Sequence, residues 1–222
     1  MKVLVVIPAY NEEESILKVV NELKDQTNFD YLVINDCSKD STSKILINNN
    51  IRHIDLPVNL GLQGAVQTGY KYAYYNDYDV AIQFDGDGQH KPEYIESLVN
   101  EIKRGYDIAI GSRFVNEKKH FSLRMLGSRI ITFIIKITTR TTITDPTSGM
   151  RALNRRMIKD YALEMNRRPE PDTLAYQIKH GAKVKEVQVE MLDRTTGESA
   201  YAGLGNSIKY MVKVLVTIIF FN

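Results

Sequence analysis

The sequence predicts an α/β fold built on a mostly parallel sheet, and two features of its first 111 residues carry that expectation. Apolar β-type runs recur at 2–7 (KVLVVI), 31–36 (YLVIND), 51–56 (IRHIDL), 79–84 (DVAIQF) and 107–112 (DIAIGS), and helix-compatible segments separate them. Each run is also followed by a polar loop rich in Gly, Asn or Asp: 8–15, 36–42, 57–64, 85–93 and 111–119. Strand, helix, strand in this rhythm implies βαβ units, and such sheets bind ligands at the carboxyl ends of their strands.

The intervening elements follow from their patterns. EEESILKVVNELKDQ sets Ile16, Val19, Val20 and Leu23 on one helical face, and its glutamates are expected in the first turn. GLQGAVQTGYKYAYYND does the same with Ala65, Val66, Tyr70 and Ala73. Beyond residue 120 the beat breaks. A helical stretch SLRMLGSRIITFIIKITTR precedes TDPTSGMRALNRR, then come a helix around DTLAYQIKHG, a strand in AKVKEVQVEM and a C-terminal helix. With 222 residues, 43% of them hydrophobic, and no linker or repeat, one continuous core is expected.

Composition narrows the class. The single cysteine, Cys37, excludes a disulfide scaffold and suits a reducing compartment. The N-terminal apolar run is too short for a signal segment, and no run of eighteen apolar residues spans a bilayer. Net charge is only +2, but it is unevenly spread. Residues 1–117 hold 11 Lys/Arg against 18 Asp/Glu, whereas 118–168 hold 12 against 3. The basic segment reads as a surface for phosphate or anionic lipid, or as a solvated helix face. Cys37 and His53 read as structural.

The loop chemistry centres on FDGDGQH. Asp85 and Asp87 end a buried strand, and Gly86 and Gly88 let the chain turn both toward one point. Carboxylate oxygens suit Mg2+ or Mn2+, usually beside substrate phosphates, and Gln89 or His90 would complete such a site. A calcium-like loop or a solvated turn remains an alternative. Two enzyme classes place Asp-x-Asp after a strand: phosphohydrolases that use the first Asp as nucleophile, and nucleotide-sugar glycosyltransferases that hold a metal.

The ordered set VVIPAYNEEESI, YLVINDCSKDST, NLGLQGAVQTGYKYA, FDGDGQHKPEYI, GSRF and TDPTSGMRALNR resembles the family 2 inverting glycosyltransferases, in their dolichol-phosphate-mannose-synthase-like branch. The resemblance covers about residues 2–200 and implies a GT-A, Rossmann-like domain over 1–203, with 204–222 as an amphipathic helix for a membrane interface or dimer packing. It also implies roles. Pro8, Ala9, Tyr10 and Glu12 match the first nucleotide loop, and Asp36 the acid that meets base or ribose; Asn35 stands where the family often has a second Asp. Gly61 and Gly64 would let backbone approach the nucleotide, but Leu62 and Gln63 replace an expected cation. Asp85, Asp87 and Gln89 match the metal motif, with Gly86 in the same donor loop. Arg113, Arg129 and Arg194 match phosphate-facing residues, and Ser199 shares the loop of Arg194.

An inverting transfer to a hydroxyl needs a general base, for which Asp172 is the first choice and Glu170 the second; an acceptor phosphate needs none. A cap of the helix beginning near Pro171 is the plainer role for Asp172. In the helix at 122–141, Leu126, Ile130, Phe133, Ile134 and Ile137 form an apolar stripe, flanked by Arg129, Lys136 and Arg140. The expected enzyme moves sugar from a nucleoside-diphosphate sugar to a lipid-linked acceptor, phosphate or saccharide, at the cytoplasmic membrane face, with Mg2+ or Mn2+ as cofactor. The expected partners are that donor, that acceptor and a peripheral membrane contact, with a homodimer, a membrane protein or a further membrane domain as options, and no nucleic acid. A non-catalytic nucleotide-sugar module is the other class to separate from it.

Overall fold

The computed structural model describes residues 1–119, 123–164, 170–192 and 204–220. Its centre is a seven-stranded sheet in the order β3-β2-β1-β4-β6-β5-β7. The strands are β1 Val3–Ala9, β2 Asp30–Asn35, β3 His53–Asp55, β4 Val80–Gln83, β5 Ile108–Ser112, β6 Arg151–Asn154 and β7 Val184–Gln188. β1 pairs in parallel with β2 and β4, β2 with β3, and β5 with β7. Only β6 runs against its neighbours, with Gln83 opposite Arg151 on β4 and Ile110 opposite Arg151 on β5. All five predicted runs of the first 111 residues are strands, although 51–56 shortens to His53–Asp55.

β6 is the element the sequence did not reveal. RALN is four residues long with a charged first and polar last residue, so it lacks the period-2 signature of a strand. It is recruited by the sheet: β4 and β5 both need a partner, and their backbone groups are buried.

Eight helices flank the sheet among the described residues: α1 Ile16–Gln26, α2 Thr42–Asn48, α3 Gly61–Tyr75, α4 Ile95–Lys103, α5 Leu123–Thr139, α6 Arg155–Lys159, α7 Pro171–Lys179 and α8 Leu204–Phe220. A π turn, Asp160–Glu164, extends α6. β1 is buried along its whole length and alternates between the faces. Val3, Val5 and Ile7 join the core under α1, α2 and α4, whereas Leu4 and Val6 join the core under α3, α5, α7 and α8. A fully buried Val, Leu or Ile contributes about 1.5–3 kcal/mol, so this strand anchors both layers.

One expectation about the helices is corrected, and the apolar stripe of α5 lies where an interfacial reading needs it. α1 starts at Ile16, and no acid lies in its first turn. The glutamates belong instead to the preceding loop, where the Ser15 hydroxyl donates to Glu12 Oε2 at 2.8 Å. In α5 the buried positions are Met125, Ser128, Ile131 and Ile135. The expected stripe is turned away from the core: Leu126, Phe133 and Ile137 are exposed, and Ile130 and Ile134 are half-buried. α8 packs on α5 and α7, with Val214 and Ile218 buried in the shared core and Val212, Val216 and Ile219 exposed.

Candidate active site

Because β1, β2, β4, β5 and β7 run the same way, their following loops leave from one edge of the sheet. β6 enters from that edge, so the TDPTSG loop before it lies there too.

The first two loops are tied to each other. The Asn11 N–H donates to Ser38 Oγ at 3.0 Å and the Lys39 N–H to Asn11 Oδ1 at 2.8 Å. The Glu13 N–H reaches Asp40 Oδ2 at 3.1 Å, and the Ser41 N–H reaches Glu13 Oε2 at 2.8 Å. Pro8 and Ala9 are buried at the end of β1, and Tyr10 stands exposed beside them. Asp36 is buried, and its Oδ1 accepts the Leu60 N–H at 2.7 Å. Burial raises its carboxyl above the ordinary carboxylate range, against the pull of the Leu60 and Gly61 N–H groups. Asp36 thus fixes the start of α3, where Gly61 adopts a left-handed φ of +70° and Gly64 packs against Leu60. The neighbouring Asn35 donates to Asp55 Oδ1 at 2.6 Å.

The third loop follows β4. Gln83 Nε2 donates to Asp85 Oδ1 at 3.0 Å, and the Asp85 N–H donates to His90 Nδ1 at 3.1 Å. An accepting Nδ1 places the His90 proton on Nε2, which lies 3.9 Å from Asp85 Oδ2. Gly88 turns the chain with a left-handed φ of +76°, and Asp87 Oδ1 accepts the Gln89 N–H at 3.1 Å in an Asx turn. Ser15 Oγ also donates to the Gly86 carbonyl at 2.8 Å, so this loop is fastened to the first. The Gln89 amide nitrogen is turned to the Leu192 carbonyl at 3.2 Å.

The basic side of the edge is built differently. Arg113 grips the fully buried Asp145 with two bonds, Nε to Oδ2 at 2.7 Å and Nη2 to Oδ1 at 2.9 Å. Glu186 of β7 holds the same loop through the Thr144 and Asp145 N–H groups, both at 2.7 Å. Arg113 and Lys119 both stand over the Phe114 ring, at 5.2 and 5.3 Å. Lys119 donates to Ser128 Oγ at 2.7 Å and Thr132 Oγ1 at 3.3 Å, and Arg129 Nη2 donates to the Lys119 carbonyl at 2.6 Å. Burial lowers the Lys119 amine below the ordinary lysine range; Arg113 and Arg129 push the same way, and Asp145 and Glu186 oppose.

Glu170 and Asp172 open α7, with Pro171 at its first position. Burial, with the charge of Asp172 adding to it, raises the Tyr161 phenol to about 12, while Arg151 pulls it down. Arg194 and Ser199 lie outside the described residues. The sequence reasoning missed Asp145, Lys119 and Glu186. The Asp-Pro pair and a lysine three residues before the helical stretch were visible, but nothing in the spacing joined them to Arg113.

An α/β sheet with an acidic Asp-x-Asp loop, two interlocked loops beside it and a cationic cluster on the same edge defines a sugar-nucleotide transferase of the GT-A type. The model of the glycosyl transferase family 2 matches residues 4–162, and the chain belongs to that family, in its dolichol-phosphate-mannose-synthase-like type. It is 32% identical to a UDP-N-acetylglucosamine–dolichyl-phosphate N-acetylglucosaminyltransferase of Methanococcus voltae, over 71% of each chain. It is also 32% identical to a dolichol-phosphate mannosyltransferase of Pyrococcus furiosus, over 91% of this chain and 60% of that one. The fold resembles glucosyl-3-phosphoglycerate synthase from Mycobacterium tuberculosis, solved with Mn2+, uridine diphosphate and phosphoglyceric acid. The TM-score is 0.72 at 16% identity, over 98% of this chain and 78% of that one.

Proposed function

We propose that the chain transfers a sugar, with inversion, from a nucleoside-diphosphate sugar to a polyprenyl phosphate at the cytoplasmic face of a membrane. The names of the relatives support the substrate classes. The observation that carries the choice of acceptor is the cation cluster in which Arg113 and Lys119 both stand over Phe114 and Arg129 donates to the Lys119 carbonyl. Burial and two neighbouring cations both disfavour the Lys119 charge, and a phosphate arriving there relieves the second of these.

On the donor side, Asp85 and Asp87 are the ligands for Mg2+ or Mn2+. Among the described residues no group of three His, Cys, Asp or Glu side chains converges, so the two aspartates would share the ion with Gln89, the donor diphosphate and water. That suits these hard cations. Bound there, the ion supplies positive charge to the departing diphosphate. Pro8, Ala9, Tyr10, Glu12, Asp36, Gly61 and Gly64 form the floor for the nucleoside. An oxygen of the acceptor phosphate attacks the anomeric carbon as the bond to the diphosphate breaks, and no proton has to be removed.

The exposed apolar residues of α5 and α8, rimmed by exposed Lys136, Arg140 and Lys213, are proposed to rest on an anionic bilayer surface, with 204–222 serving as an interfacial helix. No helix among the described residues is long and apolar enough to cross a membrane.

The test is transfer from labelled UDP- and GDP-sugars, with Mn2+, to polyprenyl phosphate in vesicles. An acid-labile glycolipid is expected. Donor turnover that requires a saccharide acceptor and ignores the polyprenyl phosphate would falsify the phosphate reading. The half-buried Asp172 at the start of α7 favours that second outcome, in which it is the base and Glu170 its neighbour. Asp172→Asn then loses about 10²-fold or more in rate, whereas a phosphate acceptor leaves the rate within about threefold of wild type.

A further inference from the structure

We propose that Gly149 is a positioning residue for the Asp85 carboxylate, and that the buried guanidinium of Arg151 holds it in place. The inference deepens the reading of Asp85 as a cation ligand and rests on it.

A Cβ added to Gly149 would lie 2.4 Å from Asp85 Oδ2, 3.2 Å from its Cγ and 3.4 Å from its Oδ1. The first distance is far inside contact, so one group would have to move. Asp85 is not a loose end that swings aside at no cost. Gln83 holds one oxygen, His90 faces the other, and the His90 ring also takes the Asp85 N–H. The backbone conformation of Gly149 is one that any residue adopts, since its φ lies outside the left-handed range. Space alone demands glycine here. The bare Cα is one wall of the slot in which the carboxylate sits.

Gly149 is held from the strand that follows it. Arg151 is 3% exposed, and its Nε donates to the Ser148 carbonyl at 2.9 Å and its Nη2 to the Pro146 carbonyl at 2.7 Å. Both carbonyls lie in the chain just before Gly149, so a planar, always-charged group staples the approach to β6. Arg151 stands directly opposite Gln83, the residue that holds Asp85 from the other strand. Arg151 Nη1 and Gln83 Oε1 are both buried without a hydrogen-bond partner among the described residues. Leaving such atoms unmet is unfavourable, and a structural pair free to repack would remove that cost. Gln83 is instead committed to the Asp85 carboxylate, and Arg151 to the carbonyls that lead into Gly149.

The test uses the full chain in two measurements. Thermal unfolding of wild type, G149A, D85A and the double variant reads the contact without any metal. G149A is expected to lower Tm in the presence of Asp85 and to cost nothing in the D85A background, where the added methyl has room; an equal loss in both backgrounds overturns the contact. Mn2+ binding, followed by electron paramagnetic resonance with UDP present, reads the consequence. G149A is expected to weaken Mn2+ about 10–100-fold, the range for groups that orient a metal ligand, with UDP binding in chelator unchanged. R151K keeps the charge and loses the fork, and is expected to weaken Mn2+ less than G149A. Wild-type Mn2+ affinity in folded G149A overturns the positioning role, and in R151K it overturns the anchoring role. A wild-type protein that takes up no Mn2+ with UDP overturns the metal reading itself, while the unfolding cycle still reports on the contact.

Discussion

The two sides of the ligand edge are held by different physics. On the proposed donor side, the loops after β1 and β2 are joined by backbone N–H groups donating to Ser, Asn, Asp and Glu oxygens, and the Ser15 hydroxyl donates to the Gly86 carbonyl of the loop after β4. On the acceptor side, the loop after β5 is held by a bidentate ion pair and by a half-buried lysine among other cations. Many short neutral or charge-assisted bonds give a stiff floor that is indifferent to salt. A few strong charges give a surface that answers to the anion placed on it. One sheet edge thus combines a rigid floor, proposed as the donor seat, with an electrostatically responsive cluster, proposed as the acceptor seat.

The comparison can be broken first at the donor side. Asp87→Ala is expected to lower transfer by about 10³-fold, roughly 4 kcal/mol of barrier, with excess chelator doing the same to wild type. Undiminished turnover in either case sinks the metal assignment. Next comes the acceptor side. Arg113→Ala leaves the Asp145 carboxylate buried without its cation, and urea unfolding should show a loss of about 2–3 kcal/mol. A loss below about 0.5 kcal/mol would reduce the pair to an ordinary surface bridge. Smaller again is the paired change Phe133→Ser and Ile137→Ser. It should weaken sedimentation with anionic vesicles about tenfold, roughly 1.4 kcal/mol for the pair, and leave donor binding untouched, since both side chains are exposed on the apolar face of α5. If vesicle binding is unchanged while a dimer dissociates, the face is a protein contact.

The smallest effect tests the sheet beneath both seats. Asp107 is desolvated, yet its carboxyl lies below the ordinary carboxylate range. Bonds from Arg156, the Lys183 N–H and Asn154 outweigh the burial. A lowered folded-state value means its stabilisation is present above the unfolded value, near pH 4, and is lost as pH falls through the folded one. Asp107→Asn should therefore cost about 1–2 kcal/mol at pH 7, a gap that closes in acid. A gap independent of pH would refute the charge-assisted account.

Much of this molecule was legible in its sequence. Long buried strands such as Val3–Ala9 announce themselves by composition, and the Gly- and Asp-rich loops mark the edge where ligands bind. What escaped is what depends on pairing between distant residues. β6 is a strand only because β4 and β5 flank it, and the partner of Arg113 is 32 residues away. Arg113, Arg129 and Asp36 were singled out as ligand contacts. Each is also engaged within the protein, with Asp145, the Lys119 carbonyl and the start of α3 respectively. Gly149 stood inside the TDPTSGMRALNR segment with nothing to mark its own role, because a glycine required by space resembles any other until its neighbour is known.

The grip of Arg113 on Asp145 has a wider consequence. The chain leaves the sheet at Ser112 and comes back to the same edge at Asp145, and that ion pair joins the two ends of the excursion. Everything between them, α5 included, is a loop closed at its own base. Such a handle can lengthen, shorten or change its greasy face without shifting a single strand register. On the proposed reading of α5 as the lipid-facing element, a lineage can adapt to new lipids by editing the handle, while the proposed seat for the sugar nucleotide stays as it was.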